Sequence, residues 1–433
     1  MTPAARLSAA IEVLADIEAR RRPAADVLKD WGLSHRFAGS GDRAAIAGLV
    51  YDALRRRASS AWIMGEGTPR AVVLGMLRRE RELGAEAIAA LADGSRHAPA
   101  PLSAREQDRL INGTLDGAPP HVIGDYPEWL DPHLAATFSD ERAEEGAALA
   151  SRAPLDLRVN TLKADRDTVA TALAHLYPQP TRWSPWGLRI ALASEAKSPA
   201  IHAEPAFLKG LADVQDEGSQ LAALLTAARP GEQVVDLCAG AGGKTLALAA
   251  MTDNHGQIYA TDLDKRRLAP IHERLERAGV RNVQVRTPRG KNDATADVSG
   301  RADLVLIDAP CTGTGAWRRN PDAKWRVRPG ALAERVKEQA DALDRAATLA
   351  KPGGRVAYVT CSVLEEENGA QVRAFLARHP GFVTLPPGEA ADALGERAFL
   401  FRRAVLTSDE GLLMTPRRTD TDGFYVAMLR RAQ

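Results

Sequence analysis

The sequence holds very little cysteine. Only Cys238, Cys311 and Cys361 occur, and no two of them stand in Cys-x-x-Cys spacing. That argues against a disulfide framework and fits reduced thiols in the cytoplasm; no metal site is expected. Long apolar runs are missing too: nothing approaches the roughly 20 residues of a membrane span, so no membrane partner is expected. Arg6 and Glu12 interrupt the first apolar stretch, which argues against a signal peptide. Excess charge is also lacking, with 57 basic and 56 acidic residues giving a net charge of +1. A globally basic protein is excluded, but a local basic patch is not. The clusters Arg20–Arg22, Arg55–Arg57, Trp317–Arg319 and Lys324–Arg326 read singly as solvated helix ends.

What is present organises around Leu304-Val305-Leu306-Ile307-Asp308-Ala309-Pro310-Cys311-Thr312-Gly313-Thr314-Gly315. Four apolar residues in a row suit a central strand covered on both faces. Pro310 ends its ladder, having no N–H to give. An acid and a thiol are left at the carboxyl end of the strand, where open α/β sheets bind ligands.

At 433 residues the chain has room for two or three domains. Residues 1–140 read as helical: Leu7, Ile11, Leu14 and Ile17 form one apolar stripe, and Ile46, Leu49, Val50, Ala53 and Leu54 another. Residues 150–205 read as a small α/β unit, with Leu155–Asn160 alternating like a half-buried strand and Asp165–Leu176 helical. Strands and helices alternate from residue 206 to 433, which implies a parallel sheet with helices on both faces. Its strands are expected at Val234–Leu237, Gln257–Thr261, Val283–Val285, Leu304–Ile307, Arg355–Thr360 and Gly423–Leu429, with helices over 263–278 and 331–350.

All three cysteines follow an apolar strand, so all three belong at the ligand edge. Cys311 and Cys361 read as functional, Cys238 as filler beside a glycine turn. Gly240-Ala241-Gly242-Gly243 lets a ligand approach the backbone and opens a helix whose N–H groups face it. Asp262, about 20 residues on at the next strand end, is placed to hold the ribose of a nucleoside cofactor. Gly243-Lys244-Thr245 ends like a P-loop, but Cys238 stands where that loop needs its first glycine. Ser362-Val363-Leu364-Glu365 has the form of a capping box, so Cys361 is expected just before a helix N-terminus, which favours its thiolate. Two thiols and a carboxylate around a nucleoside cofactor suit methyl transfer to a ring carbon activated by covalent addition.

Asp236–Thr245, Asp308-Ala309-Pro310-Cys311 and Thr360-Cys361-Ser362 resemble the Sun/RsmB (Nop2-like) RNA cytosine-5 methyltransferases. Arg158–Lys163, Gln215–Ser219, Arg319–Asp322 and Asp422-Gly423-Phe424 extend the likeness over 150–433. Gly41-Asp42-Arg43 and Leu49–Arg55 resemble the NusB-like helical domain of the RsmB branch. The resemblance implies a Rossmann-like class I methyltransferase domain, a small α/β (RRM-like) subdomain and an N-terminal all-helical NusB-like RNA-binding domain. It implies S-adenosylmethionine as cofactor, held by Cys238, Ala239, Gly240, Ala241, Gly242, Gly243, Lys244 and Asp262, with Asp308 at the border of that pocket. It implies a monomer acting on RNA, with ribosomal RNA of the 16S type as the leading substrate and the target cytosine flipped out of its stack. Cys361 would attack carbon 6, Asp308 would hold ring nitrogen 3, and Cys311 would assist loss of the carbon-5 proton.

One departure stands out. Where the family has an acid near the adenine, this chain has Thr287-Pro288-Arg289, with Asp293 a few residues later. The basic and aromatic stretch Trp317–Arg328 is expected where an RNA strand enters, the alternative being tryptophans packed locally. Three other readings are weighed: a tRNA cytosine-5 methyltransferase, a DNA cytosine-5 methyltransferase with Cys311 as nucleophile, and an idle RNA-binding or assembly factor. Thr360-Cys361-Ser362 argues against the DNA enzyme, and retention of both thiols with Asp308 argues against the idle factor.

Overall fold

A computed structural model describes residues 1–192, 199–288 and 293–433. They form two compact units. The first is Met1–Arg152 together with Trp317–Arg328, and the second holds the remainder.

The first unit is helical. Its opening helix, Pro3–Arg20, starts where Thr2 accepts a hydrogen bond from the Ala5 amide at 3.1 Å, with Pro3 in the first turn where its missing N–H costs nothing. The expected stripe is inside: Leu7, Leu14 and Ile17 are buried, joined by Ala10 and Val13, while Ile11 is only partly covered. From the helix Ser40–Arg55, Ile46, Val50, Ala53 and Leu54 meet them. The arginine run at its end is not a solvated helix end. Arg55 is buried and donates to the carbonyls of Ser151 and Arg318, Arg56 pairs with Glu80, and Arg57 with Glu18.

The segment Trp317–Arg328 corrects the RNA-entry expectation. It is folded into the helical unit. Trp317, Arg318 and Lys324 are buried. Lys324 Nζ donates to the Arg55 carbonyl at 2.9 Å and the Trp325 indole N–H to the Leu54 carbonyl at 2.7 Å. Asp322 accepts from the Ala24 amide at 3.2 Å. These groups cap the polar ends of helices instead of facing solvent; only Asn320, Arg326 and Arg328 of the stretch are exposed.

The second unit contains two sheets. The smaller is antiparallel, with β1 (Leu155–Val159), β2 (Gln179–Pro180), β3 (Gly187–Ile190) and β4 (Ala212–Val214) in the order β2-β3-β1-β4. Its fourth strand therefore lies past residue 205. β1 alternates as expected, yet its polar face is buried as well. Asp156 accepts from Arg189 at 2.7 Å, and Arg158 donates to Gln215 at the same distance. Burial pushes the Arg158 guanidinium down to about 10.

The larger sheet has β5 (Gln233–Asp236), β6 (Gln257–Ala260), β7 (Val283–Val285), β8 (Ala302–Asp308), β9 (Ala350–Thr360), β10 (Phe382–Thr384), β11 (Leu406–Thr407), β12 (Leu412–Met414) and β13 (Phe424–Arg431). The order is β11-β12-β13-β9-β8-β5-β6-β7, with β10 on β13. Strands β5 to β9 are parallel as expected, whereas β13 enters antiparallel beside β9 and brings β12 with it. The C-terminal hairpin thus covers an edge the parallel core would leave open. The expected helix over 263–278 is broken at Pro270 into Lys265–Leu268 and Ile271–Ala278. Leu304–Ile307 are all fully buried in β8, each side chain contributing roughly 1.5–3 kcal/mol. Strand order reverses between β5 and β8, so the crevice lies at their carboxyl ends.

Candidate active site

At that edge the chain brings the predicted residues together in three groups. The first is the thiol pair. β8 and β9 are neighbours, with Asp308 paired to Val359. Beyond them Cys311 Sγ lies 3.3 Å from Cys361 Sγ, a thiol–thiol hydrogen bond, and both residues are half-buried. That bond, with burial and the charges of Cys361 and Glu367, pushes the Cys311 thiol well up. The proton therefore stays on Cys311, which can aim it at Cys361.

The second group is acidic and basic. Lys244 Nζ donates to Asp308 Oδ2 at 2.8 Å and stands 4.9 Å from the centre of the Phe424 ring. Lys244 is buried, while about a third of the Asp308 side chain is open to solvent. Phe424, the last residue of the Asp422-Gly423-Phe424 motif, is thus a wall of the site.

The third group is the glycine turn. Gly240 and Gly242 take φ of +49° and +84°, which side chains resist. A Cβ on Gly242 would meet Ile271 at 2.6 Å, and one on Gly240 would stand 3.9 Å from Asp262 Oδ2. The Gly240 amide donates to Asp262 Oδ2 at 3.0 Å, and Oδ1 accepts from Asp264 at 2.9 Å. Ala239 and Gly242 are buried, Gly243 begins the helix Gly243–Met251, and Ala241 is exposed. Cys238 is half-covered beside this turn; burial, together with the charges of Asp236, Asp262 and Asp308, pushes its thiol up, which keeps it inert.

Sequence reasoning missed Asp236 and Glu367. Asp236 is buried at the end of β5, where burial pushes its carboxyl up to about 7. Thr245 donates to its Oδ2 at 2.7 Å, but its buried Oδ1 has no protein partner. Glu367 is buried behind the thiols and accepts from Thr312, Ser362 and Gln339. Its signal was the acidic run after Cys361, from which the capping-box reading selected Glu365. That box does not form. Residues 362–364 are not helical, Glu365 opens a short 3₁₀ turn, Glu365–Glu367, and pairs with Arg373, Ser362 is held by Glu367, and the α-helix starts only at Gly369. Asp293 is occupied by Thr295 and Arg345, and Arg289 lies outside the described residues.

Comparison with known proteins shows the family. The family model described as 16S rRNA methyltransferase RsmB/F matches residues 223–430, and the RsmF/B-like ferredoxin-like domain matches 126–196. The chain is 33% identical over 325 residues to the ribosomal RNA small subunit methyltransferase B of Erwinia tasmaniensis, covering 75% of this chain and 70% of the relative. It is 33% identical over 346 residues to the protein of the same name from Sodalis glossinidius, covering 75% and 73%. The chain belongs to the RsmB/F family of rRNA methyltransferases. Among solved structures, PH0851 matches over 100% of this chain and 99% of its own, with TM-score 0.70 and 25% identity. A methyltransferase homolog from Pyrococcus horikoshii matches 72% of this chain and 97% of its own, with TM-score 0.57 and 25% identity.

RsmB/F enzymes depend on S-adenosylmethionine, and the residues here fit it. The Gly240–Gly243 turn, the buried acid at Asp262 and the unpartnered Oδ1 of Asp236 form a cradle, with the Arg267 guanidinium 3.5 Å from Asp262 and 3.5 Å from the place of a Cβ on Gly240. No helix of the described residues is long and apolar enough to cross a membrane.

Proposed function

We propose that this chain methylates carbon 5 of a cytosine in small-subunit rRNA through a covalent bond between Cys361 and carbon 6. What supports the reading is the pair of sulfurs 3.3 Å apart on adjacent strand ends, beside an Asp308–Lys244 ion pair.

Cys361 sulfur bonds to carbon 6 and opens the 5,6 double bond, passing negative charge into the ring toward nitrogen 3. Asp308 takes the proton that the Cys361 thiol gives up and delivers it to that nitrogen, with Lys244 offsetting the carboxylate charge. S-adenosylmethionine supplies the methyl group that carbon 5 takes. Once Cys361 sulfur is bound to carbon, it no longer accepts from Cys311 or carries charge beside it. Two of the causes that push the Cys311 thiol up are then gone, so Cys311 can release its own proton to solvent and, as a thiolate, take the carbon-5 proton. The double bond re-forms, the Cys361–carbon bond breaks, and the sulfur leaves with its electron pair as a thiolate that regains, through Asp308, the proton held on nitrogen 3. Gly240–Lys244 and Asp262 would hold the cofactor, the turn by its amides and the acid at the ribose. The organisation into a NusB-like RNA-binding domain, an RRM-like subdomain and a catalytic domain belongs to the same reading, as does a monomer working in the cytoplasm.

Full-length protein incubated with 16S rRNA and labelled S-adenosylmethionine tests it. Cys361→Ala is expected to abolish transfer and RNA adducts, while Cys311→Ala accumulates an adduct that survives denaturation. An adduct that needs Cys311 but not Cys361 would reverse the roles. Transfer to no RNA at all, by wild type or variants, would favour an assembly factor.

A further inference from the structure

A two-thiol reaction needs both sulfurs at one spacing, yet they sit on separate loops beyond the last ladder bonds of β8 and β9. Glu367 stands between those loops. Its side chain is fully buried and both its oxygens are occupied. Oε1 accepts from the Thr312 amide at 2.8 Å and from Gln339 Nε2 at 3.0 Å. Oε2 accepts from the hydroxyls of Thr312 and Ser362. Thr312 directly follows Cys311, and Ser362 directly follows Cys361. Gln339 also donates to the carbonyl of Pro310, the residue before Cys311, at 2.9 Å. The Tyr358 hydroxyl in turn fixes the Glu367 carbonyl at 2.6 Å. A buried carboxylate is costly unless its lone pairs are satisfied. Here every donor that satisfies it comes from a cysteine loop or from the helix Pro329–Leu349 that braces one.

We propose that Glu367 is a positioning residue that clamps the Cys311 and Cys361 loops together and fixes the sulfur-to-sulfur spacing. The proposal rests on the two-thiol reading of the site. Glu367 acts through its neighbours, not on the substrate. It holds Thr312 and Ser362, and they carry the thiols.

The test uses the full chain and a probe that needs no RNA. Phenylarsine oxide takes two thiols at once only when they are close. Wild type is expected to bind one equivalent, consuming Cys311 and Cys361 together. Glu367→Gln keeps one acceptor for the Thr312 amide, and its NH₂ can donate to the two hydroxyls, so it is expected to bind like wild type. Glu367→Ala is expected to weaken arsenical binding and to lower kcat by about 10–100-fold, the loss seen when a group that orients a reacting side chain is removed from metal sites, with KM for RNA unchanged. Thr312→Val, which removes one hydroxyl donor and leaves the amide, is expected to show a smaller fall in both and serves if Glu367→Ala does not fold. Arsenical binding by Glu367→Ala equal to wild type would overturn the clamp. So would an equal fall for Gln and Ala, which would make charge, not spacing, the property supplied. The binding result stands even if wild type methylates no RNA, so failure of the clamp and failure of the proposed reaction are separate outcomes.

Discussion

The amide of Gly315 donates to the carbonyl of Cys361 at 2.9 Å, so the loop that carries one thiol hangs from the residue that carries the other. The Gly315 carbonyl in turn accepts from the Gly423 amide at 2.8 Å, just before β13 begins. The catalytic loops and the C-terminal hairpin are thus stitched backbone to backbone. A Cβ on Gly315 would fall 2.2 Å from the Gly423 carbonyl oxygen, an approach no rotamer relieves. Gly315→Ala is expected to destabilise the protein by at least about 1–3 kcal/mol and to lower methyl transfer with it. Thermal unfolding read beside activity checks this, and an unchanged melting temperature would contradict the contact.

Lys244 and Asp308 are expected to behave as one group. Lys244→Met and Asp308→Asn should each lower kcat by about 100-fold or more, as loss of a positioned proton donor does. The double variant should fall little further, because either change alone breaks the pair. Additive losses in single-turnover assays would show that the two act separately.

Lys324 gives the helical unit a pH signature. Burial lowers its pKa to about 7 from the ordinary 10.5, against the opposing pull of Asp125. Below pH 7 both folded and unfolded chains hold the proton, and above 10.5 neither does. Between these limits only the unfolded chain binds it, so folding releases a proton and stability rises with pH. The burial penalty, on the order of a few kcal/mol at neutrality, is relieved across that window. Lys324→Met should be more stable than wild type near pH 7, and the difference should shrink towards pH 10. A constant difference in urea midpoints over the range would refute a buried titrating amine.

Trp325 separates the structural from the RNA-binding view of its segment. Trp325→Ala removes the bond to Leu54 and the stacking of Arg57 at 5.1 Å, and should lower stability by about 2–3 kcal/mol. The salt dependence of RNA binding should not change, since no phosphate contact is lost. A shallower salt slope at unaltered stability would restore the RNA-entry reading.

Much of the second unit was legible because parallel strands are continuous apolar runs closed by glycine, proline or acid. Val283–Val285 lies where the sequence put it, and β8 exceeds its expected span by only a few residues. The pairings among Lys244, Asp308, Cys311 and Cys361 follow from strand ends sharing one edge. What pattern alone misjudged was polarity that is buried. Arg55, Arg158, Arg318 and Lys324 read as surface charges because charge normally stays wet, yet each is buried, and Arg55, Arg158 and Lys324 all donate to protein acceptors. Ser362 and Glu365 have capping-box spacing, but Glu367 offers the serine a buried acceptor and Arg373 draws Glu365 away. The spacing of one pair cannot see partners that compete from only five and eight residues away.

The stretch Trp317–Arg328 leaves the catalytic chain directly after the Cys311 loop and rejoins it at the helix Pro329–Leu349, having folded as part of the helical unit. The two halves are therefore not beads on a string that gene trimming can separate. A fragment starting at residue 153 would carry an orphaned twelve-residue strap, with the Trp325 indole cut off from the Leu54 carbonyl and Lys324 from that of Arg55.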